Sequence, residues 1–283
     1  MYRTKKNIIM KAKTVFLLIV ALVLGLGLTF TSCKKSYTPD QATGNDNTQA
    51  DNAVADAIFF GLEHGGGQKA LLGDDSTCFD IDIDTLEINN GLKIQVTLTF
   101  DNCDPFGNGV IRNGQIIITR DLGWLFNPKK ALEIRFRNFS RDSIGIQGHI
   151  TMQFDHNIAE GQPVYNITED SMQLSFPDNT TFSWSGNRTI QWISGFNTPK
   201  IRRDNSIKVS YHRTGTNRKG ENFEATANNL LFDASCKYRM PLSGTLQITK
   251  DNGESFTLDF GDGKCDGCMI YSSNGNQVQI CHN

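Results

Sequence analysis

The chain has 283 residues, 20% of them charged, with seven cysteines and a formal net charge of −2. Arg3, Lys5, Lys6, Lys11 and Lys13 precede the first acid, Asp40, so subtracting those five charges from −2 leaves −7 for residues 33 to 283. A net-acidic body without a basic stretch argues against nucleic acid or an anionic lipid surface as partner.

The basic start is followed by an apolar run from Val15 to Phe30. That run is shorter than the roughly 20 residues a spanning helix needs, and it fits the central region of a cleaved export signal. It closes on Phe30-Thr31-Ser32-Cys33, which resembles a bacterial lipobox, with Phe where Leu is usual. The resemblance implies removal of residues 1 to 32, lipidation of Cys33 and a membrane-tethered protein whose acyl chains hold it firmly at the surface.

Residues 33 to 50 are polar and poor in large apolar groups, the composition of a flexible tether. A single domain is expected over 51–283, opening with a short amphipathic helix at 51–63. There Val54, Ile58, Phe59 and Leu62 recur at helical spacing before Gly65-Gly66-Gly67.

From Phe79 onward, apolar and polar residues alternate, and Asn90-Gly91, Asn113-Gly114, Asn252-Gly253 and Asn274-Gly275 are strong hairpin signals. The fold class read from this is all-β, an antiparallel hairpin meander forming a sandwich or a curved sheet, with one N-terminal helix.

With Cys33 acylated, six cysteines remain, an even number suited to disulfides in an oxidising compartment. A two-residue turn at Asn274-Gly275 sets Cys268 opposite Cys281 at a non-hydrogen-bonded position, where Cα atoms lie about 4.5 Å apart. Met269, Tyr271, Val278 and Ile280 then share a buried face. A turn at Asn90-Gly91 likewise sets Cys78 opposite Cys103, with Phe79, Ile81, Ile83, Leu98 and Phe100 facing inward and Asp80, Asp82 and Asp84 outward. Cys236 and Cys265 are left for each other across the Asn252-Gly253 hairpin.

A repeat is visible as well. Thr97-Leu98-Thr99-Phe100, Cys103-Asp104 and Asn113-Gly114 recur as Thr257-Leu258-Asp259-Phe260, Cys265-Asp266 and Asn274-Gly275. Together with the lipobox, the segment from Thr257 to Asp266 resembles a group of uncharacterised Bacteroidetes lipoproteins. The resemblance implies an outer-membrane address and no particular activity. Some lipoproteins of that phylum carry an acidic cluster after the acylated cysteine that sends them to the cell surface. Here Lys34 and Lys35 stand in its place, which implies a periplasm-facing protein.

No set of nucleophile, base and metal ligands converges in the sequence, and no cofactor motif is present. Cys265-Asp266-Gly267-Cys268 with Cys281-His282 has zinc-ligand types, but export and the hairpin match favour disulfides. His64-Gly65-Gly66-Gly67 lacks the Gly-x-Ser-x-Gly elbow of an esterase. Asp259-Phe260-Gly261 matches the kinase triplet, but the other kinase loops are missing. Asp259, Asp262 and Asp266, like Asp101, Asn102 and Asp104, have calcium-ligand types in turn-forming surroundings. Trp184 and Trp192 with Phe182 and Phe196 would make a glycan platform if exposed, but the serines flanking Trp184 suit a core position. Asp75-Ser76-Thr77, Asp84-Thr85-Leu86, Asp142-Ser143-Ile144 and Asp170-Ser171-Met172 match an Asp-Ser/Thr-apolar pattern resembling Bacteroidetes O-glycosylation acceptors. The expected function is a non-enzymatic binding or structural module of the envelope with a glycan or envelope protein as ligand. The alternatives are a periplasmic glycan hydrolase whose carboxylates meet only in the fold and a calcium-dependent adhesion module.

Overall fold

The computed structural model describes residues 41–65, 78–88, 91–107, 109–124, 127–155, 162–196, 204–236 and 240–281. Residues 1–40, which include the stretch expected to be an export signal and Cys33, lie outside the described residues. Among the described residues one helix, α1 (Gln41–Gly65), precedes thirteen strands. These are β1 (Phe79–Ile88), β2 (Gly91–Cys103), β3 (Arg112–Asp121), β4 (Ala131–Arg141), β5 (Ile144–Asp155), β6 (Val164–Ser175) and β7 (Thr181–Ser194). They continue as β8 (Ser206–Thr216), β9 (Asn222–Asp233), β10 (Ser243–Lys250), β11 (Ser255–Asp262), β12 (Cys268–Ser273) and β13 (Asn276–Cys281).

Each strand pairs antiparallel with its neighbours in sequence, giving one thirteen-stranded meander that does not close into a barrel. The expectation of an all-β meander therefore holds, and the sheet is curved instead of split into a sandwich. The curvature is forced by α1. Phe60 packs edge to face against Phe79 of β1 and Phe100 of β2, while Asp51 reaches Arg188 of β7 and Arg213 of β8. Nine helical residues advance about 14 Å, whereas the six strand spacings from β2 to β8 span about 29 Å in a flat sheet. Only a sheet bent round the helix brings both sets within reach.

Two-residue alternation explains which side faces α1. On β3, Arg112, Ile116, Ile118 and Arg120 are buried, and on β8 Val209, Tyr211 and Arg213 are. On the helix, Ala50, Ala53, Val54, Ala57, Ile58 and Phe60 are buried. Gly61 and Gly65, one turn apart, let the C-terminal end lie close on the sheet. A Cβ at Gly61 would sit 2.9 Å from Ile134 Cδ1, and one at Gly65 would sit 2.4 Å from Leu132 Cδ1.

Residues 41–50, expected as part of a tether over 33–50, are helical instead, because Gln41–Gly65 is one helix of 25 residues. The helix at 51–63 is its C-terminal half. Its polar N-terminal half is held by partners far along the chain, as the next subsection describes.

The three expected disulfides are present: Cys78–Cys103, Cys236–Cys265 and Cys268–Cys281, with Cα separations of 5.4, 5.7 and 4.0 Å. The last hairpin has the expected register, Cys268 facing Cys281 and Ser273 facing Asn276, with Asn274 and Gly275 both at positive φ as a type I′ turn needs. The first hairpin does not. Ile88 faces Gly91 and Phe79 faces Phe100, so its centre lies one residue before Asn90-Gly91. That register alone would set Cys78 against Asp101. The bond to Cys103 is reached where β2 shifts against β3 between Phe100 and Cys103, with Asn102 at positive φ. The pairing agrees with expectation, but the register behind it was wrong.

Asn113-Gly114 is not a turn. It lies inside β3 as a bulge, with Gly114 at φ +85° and Asn113 Oδ1 accepting the Asn102 N–H at 2.8 Å. The repeat therefore joins two unlike geometries, a bulge and a hairpin. Ile83 on β1 and Val278 on β13, expected to be buried, are exposed because each lies on an edge strand.

Gly114 and Gly275 predict contrasting costs. Gly275→Ala meets nothing within 4 Å and bears only the left-handed backbone penalty, about 1–2 kcal/mol. Gly114→Ala adds a Cβ 2.1 Å from the Asn138 carbonyl oxygen, so it lowers stability by at least twice as much or blocks folding. Melting temperatures of the two variants check the order.

Candidate functional site

Charged residues gather where the alternation calls for apolar ones. Arg112 of β3, Glu169 of β6, Arg188 of β7, Arg213 of β8 and Lys250 of β10 are all buried. A buried charge is costly unless it is paired and hydrogen-bonded, and α1 supplies most of the partners. Asp56 Oδ2 accepts from Arg112 Nη2 at 2.6 Å, Arg112 Nε at 3.1 Å and Arg141 Nε at 3.2 Å. One turn and a half earlier, Asp51 Oδ1 accepts from Arg188 Nη2 at 2.7 Å and Arg213 Nη1 at 3.2 Å, and its Oδ2 accepts the Tyr211 hydroxyl at 3.0 Å. Asn47 Oδ1 takes two bonds from Arg213, at 2.6 and 3.0 Å. At the helix start, Asn217 Nδ2 donates to Thr43 Oγ1 at 3.1 Å, and Arg218 lies 3.7 Å from Asp46.

The sheet supplies the rest. Glu169 accepts from Arg188 Nε at 2.6 Å and from Trp184 Nε1 at 2.5 Å. The guanidinium of Arg213 lies 4.5 Å above the Tyr211 ring, and that of Arg188 lies 4.8 Å from it. Burial works against the Arg188 charge, but Glu169 and Asp51 outweigh it and lift its pKa above the ordinary value. Burial also pushes the Tyr211 hydroxyl up, so it stays protonated and donates. Lys250 is answered from two turns, by Glu221 at 3.1 Å and Glu254 at 3.2 Å.

Asp51 and Glu169 beside Trp184 are the residue types a glycan hydrolase uses. Both are committed to Arg188, however, and Glu169 is 2% exposed beneath α1. The Trp platform is not formed: Trp184 is buried against Phe182 at 5.7 Å, and Trp192 packs separately, edge to face, with Phe196 at 5.8 Å. Cys265, Cys268 and Cys281 are spent in disulfides, which removes the zinc set, and His282 lies outside the described residues. The calcium candidates do turn work. Asp104 accepts from the Phe106 and Gly109 N–H groups, Asp259 from Gly261 and Asp266 from Cys268. Among the described residues no group of three metal-ligating side chains comes together. Of the Asp-Ser/Thr sites, Thr85, Ser143 and Ser171 are exposed, while Ser76 and Thr77 lie outside the described residues.

The opposite, outer face carries a shallow groove of about 840 Å³ across β6 to β10, lined by Ser171, Ser183, Ser185, Thr214, Thr216 and Glu224 among others. It opens where Ser171 bulges out of β6 at φ +52°. Its hydroxyls suit a polar ligand. No protein-family model, no curated protein and no solved structure matches this chain.

The arginine network escaped sequence reasoning, although a signal existed. Val209-x-Tyr211-x-Arg213 and Arg188-x-Ile190 put arginines in phase with the buried face, and Asn47 and Asp51 are one helical turn apart.

Asp51→Asn leaves the buried Arg213 guanidinium without a carboxylate and Arg188 with Glu169 alone, and we expect a loss of about 3 kcal/mol in urea unfolding. Arg218→Ala, whose side chain is a third exposed, costs less than about 1 kcal/mol. Asn217 and Lys250 hold the Glu221 carboxyl below the ordinary value of 4.5. Its contribution to stability is therefore complete above pH 4.5 and fades as the pH falls through the lowered pKa. Glu221→Gln should flatten that acid limb of the stability curve.

Proposed function

We propose that the chain is a lipid-anchored protein of the bacterial envelope, acylated at Cys33 after loss of residues 1 to 32. Its β-domain, on this reading, binds or scaffolds without catalysing. The observation that carries the proposal is the closure of six cysteines on one another in three disulfides, the habit of an exported protein. It leaves Cys33 as the seventh. The lipobox and the likeness to Bacteroidetes lipoproteins support an outer-membrane, periplasm-facing address. Commitment of the inner-face carboxylates to arginines supports a structural use of those acids, and the hydroxyl-lined outer groove supports a glycan or an extended peptide as ligand.

With α1 beginning at Gln41, only residues 34 to 40 separate the proposed anchor from the fold. Eight residue steps reach at most about 29 Å, so the domain is held close to the membrane. Thr43 bonds Asn217 near the β8–β9 turn, so the chain from the proposed anchor joins the fold at that end of the sheet.

Metabolic labelling with an alkyne fatty acid tests the anchor. The wild-type chain should take the label, and Cys33→Ala should lose it and accumulate as precursor. Label retained by Cys33→Ala refutes the proposal. Six cysteines resisting alkylation until reduction is the companion expectation.

A further inference from the structure

Arg120 is an inner-face arginine that α1 does not answer. It is 9% exposed, follows Ile116 and Ile118 in the inward phase of β3, and lies in register with Ile94 of β2 and Leu132 of β4. Its Nε has no hydrogen-bond partner, and among the described residues no carboxylate is paired with it. Burial alone draws its pKa below the ordinary value. Arg112, Arg188 and Arg213, which are more deeply buried, have carboxylates in place, and the lack of a described one at Arg120 leaves its charge available to an anionic ligand.

The surroundings narrow the kind of anion. Leu92 and Leu122, which follow the Lys93–Asp121 pair on β2 and β3, are 50% and 42% exposed, and Ile83 on the neighbouring edge strand is 48% exposed. Leu92 and Leu122 lie at the same end of the sheet as Arg120, and Ile83 lies one inward step back, level with Val96 and Ile118; a free carboxylate or phosphate would find no use for these aliphatic side chains. Glu87, across from Leu92, is exposed and marks the outer limit of the patch. Two more buried donors without partners, the Tyr165 hydroxyl and Trp192 Nε1, lie at this end on β6 and β7. Their rings meet edge to face at 6.3 Å, and Tyr165 also packs at 6.2 Å against Trp124, four residues beyond Arg120.

We propose that this end of the inner face binds an anionic amphiphile, a single acyl chain bearing a carboxylate or phosphate, with the head group on Arg120 and the chain against Ile83, Leu92, Ile94 and Leu122. The proposal rests on reading the domain as a binding module, but not on the anchor at Cys33. Charge-assisted bonds from the guanidinium fix the head, and burial of the chain supplies the remaining affinity.

The test uses the purified full chain in a neutral amphipol, titrated with laurate, dodecyl phosphate, dodecanol and acetate while tryptophan fluorescence is followed. Laurate or dodecyl phosphate should bind saturably, and the preferred head group identifies the source. Dodecanol and acetate should each bind at least about tenfold more weakly, the scale of one lost charge-assisted contact or of the lost chain. Arg120→Met should weaken laurate at least about tenfold without lowering the melting temperature, because it removes an unanswered buried charge. If that variant does not fold, Leu92→Asp, at an exposed position, gives the second reading and should also weaken binding. Laurate and dodecyl phosphate both failing to bind, unchanged binding in Arg120→Met or Leu92→Asp, or binding only to anionic vesicles overturns the proposal. Such results leave the acylation of Cys33 untouched, just as loss of the label there would leave this site standing.

Discussion

A guanidinium group stays charged at any pH a cell offers, so an arginine turned inward is costly unless an anion answers it. That constraint organises this molecule. Asp51 and Asp56 fix α1 to β7–β8 and β3–β4 at once, and the sheet has to curl for both contacts to exist. Buried ion pairs often add little net stability over well-packed apolar groups. Their effect here is on orientation, since a helix turned by one residue, about 100°, would take the aspartates off the arginines.

The two halves of α1 are held differently. Toward its C-terminus, Ala57, Ile58, Phe60, Gly61 and Gly65 give shape-matched apolar packing, with Phe60 among Phe79, Phe100 and Phe106. Toward its N-terminus, Thr43, Asp46, Asn47 and Asp51 make hydrogen bonds and ion pairs, which acid and salt weaken far more readily. The sheet treats its borders with similar economy. Asp80, Asp82 and Asp84 put charge along β1, the first edge, as a guard against strand addition, while disulfides tie the first hairpin and the last.

Much of this was legible in the sequence, and the failures have physical causes. Alternation and turn chemistry are local, so the Asn274-Gly275 hairpin could be read down to its facing residues. Asn113-Gly114 carries the same local signal, yet β3 continues through it because β2 and β4 both pair across that point. The N-terminal half of α1 looked like a tether because polar residues were taken to prefer water. Asn47 prefers Arg213, 166 residues away, and no window on the sequence contains both. The inward arginines were hidden for the same reason, since each is sensible only when its acid is known.

The disulfides join cysteines that are consecutive in the chain: 78 with 103, 236 with 265, 268 with 281. A polypeptide threaded N-terminus first through a translocon presents each cysteine directly before its partner. An oxidant that joins thiols in order of arrival therefore reaches the native connectivity with no reshuffling. The condition is that the cysteine emerging earliest, at position 33, be withdrawn from the pool, and the acylation proposed for it would do that by turning its thiol into a thioether.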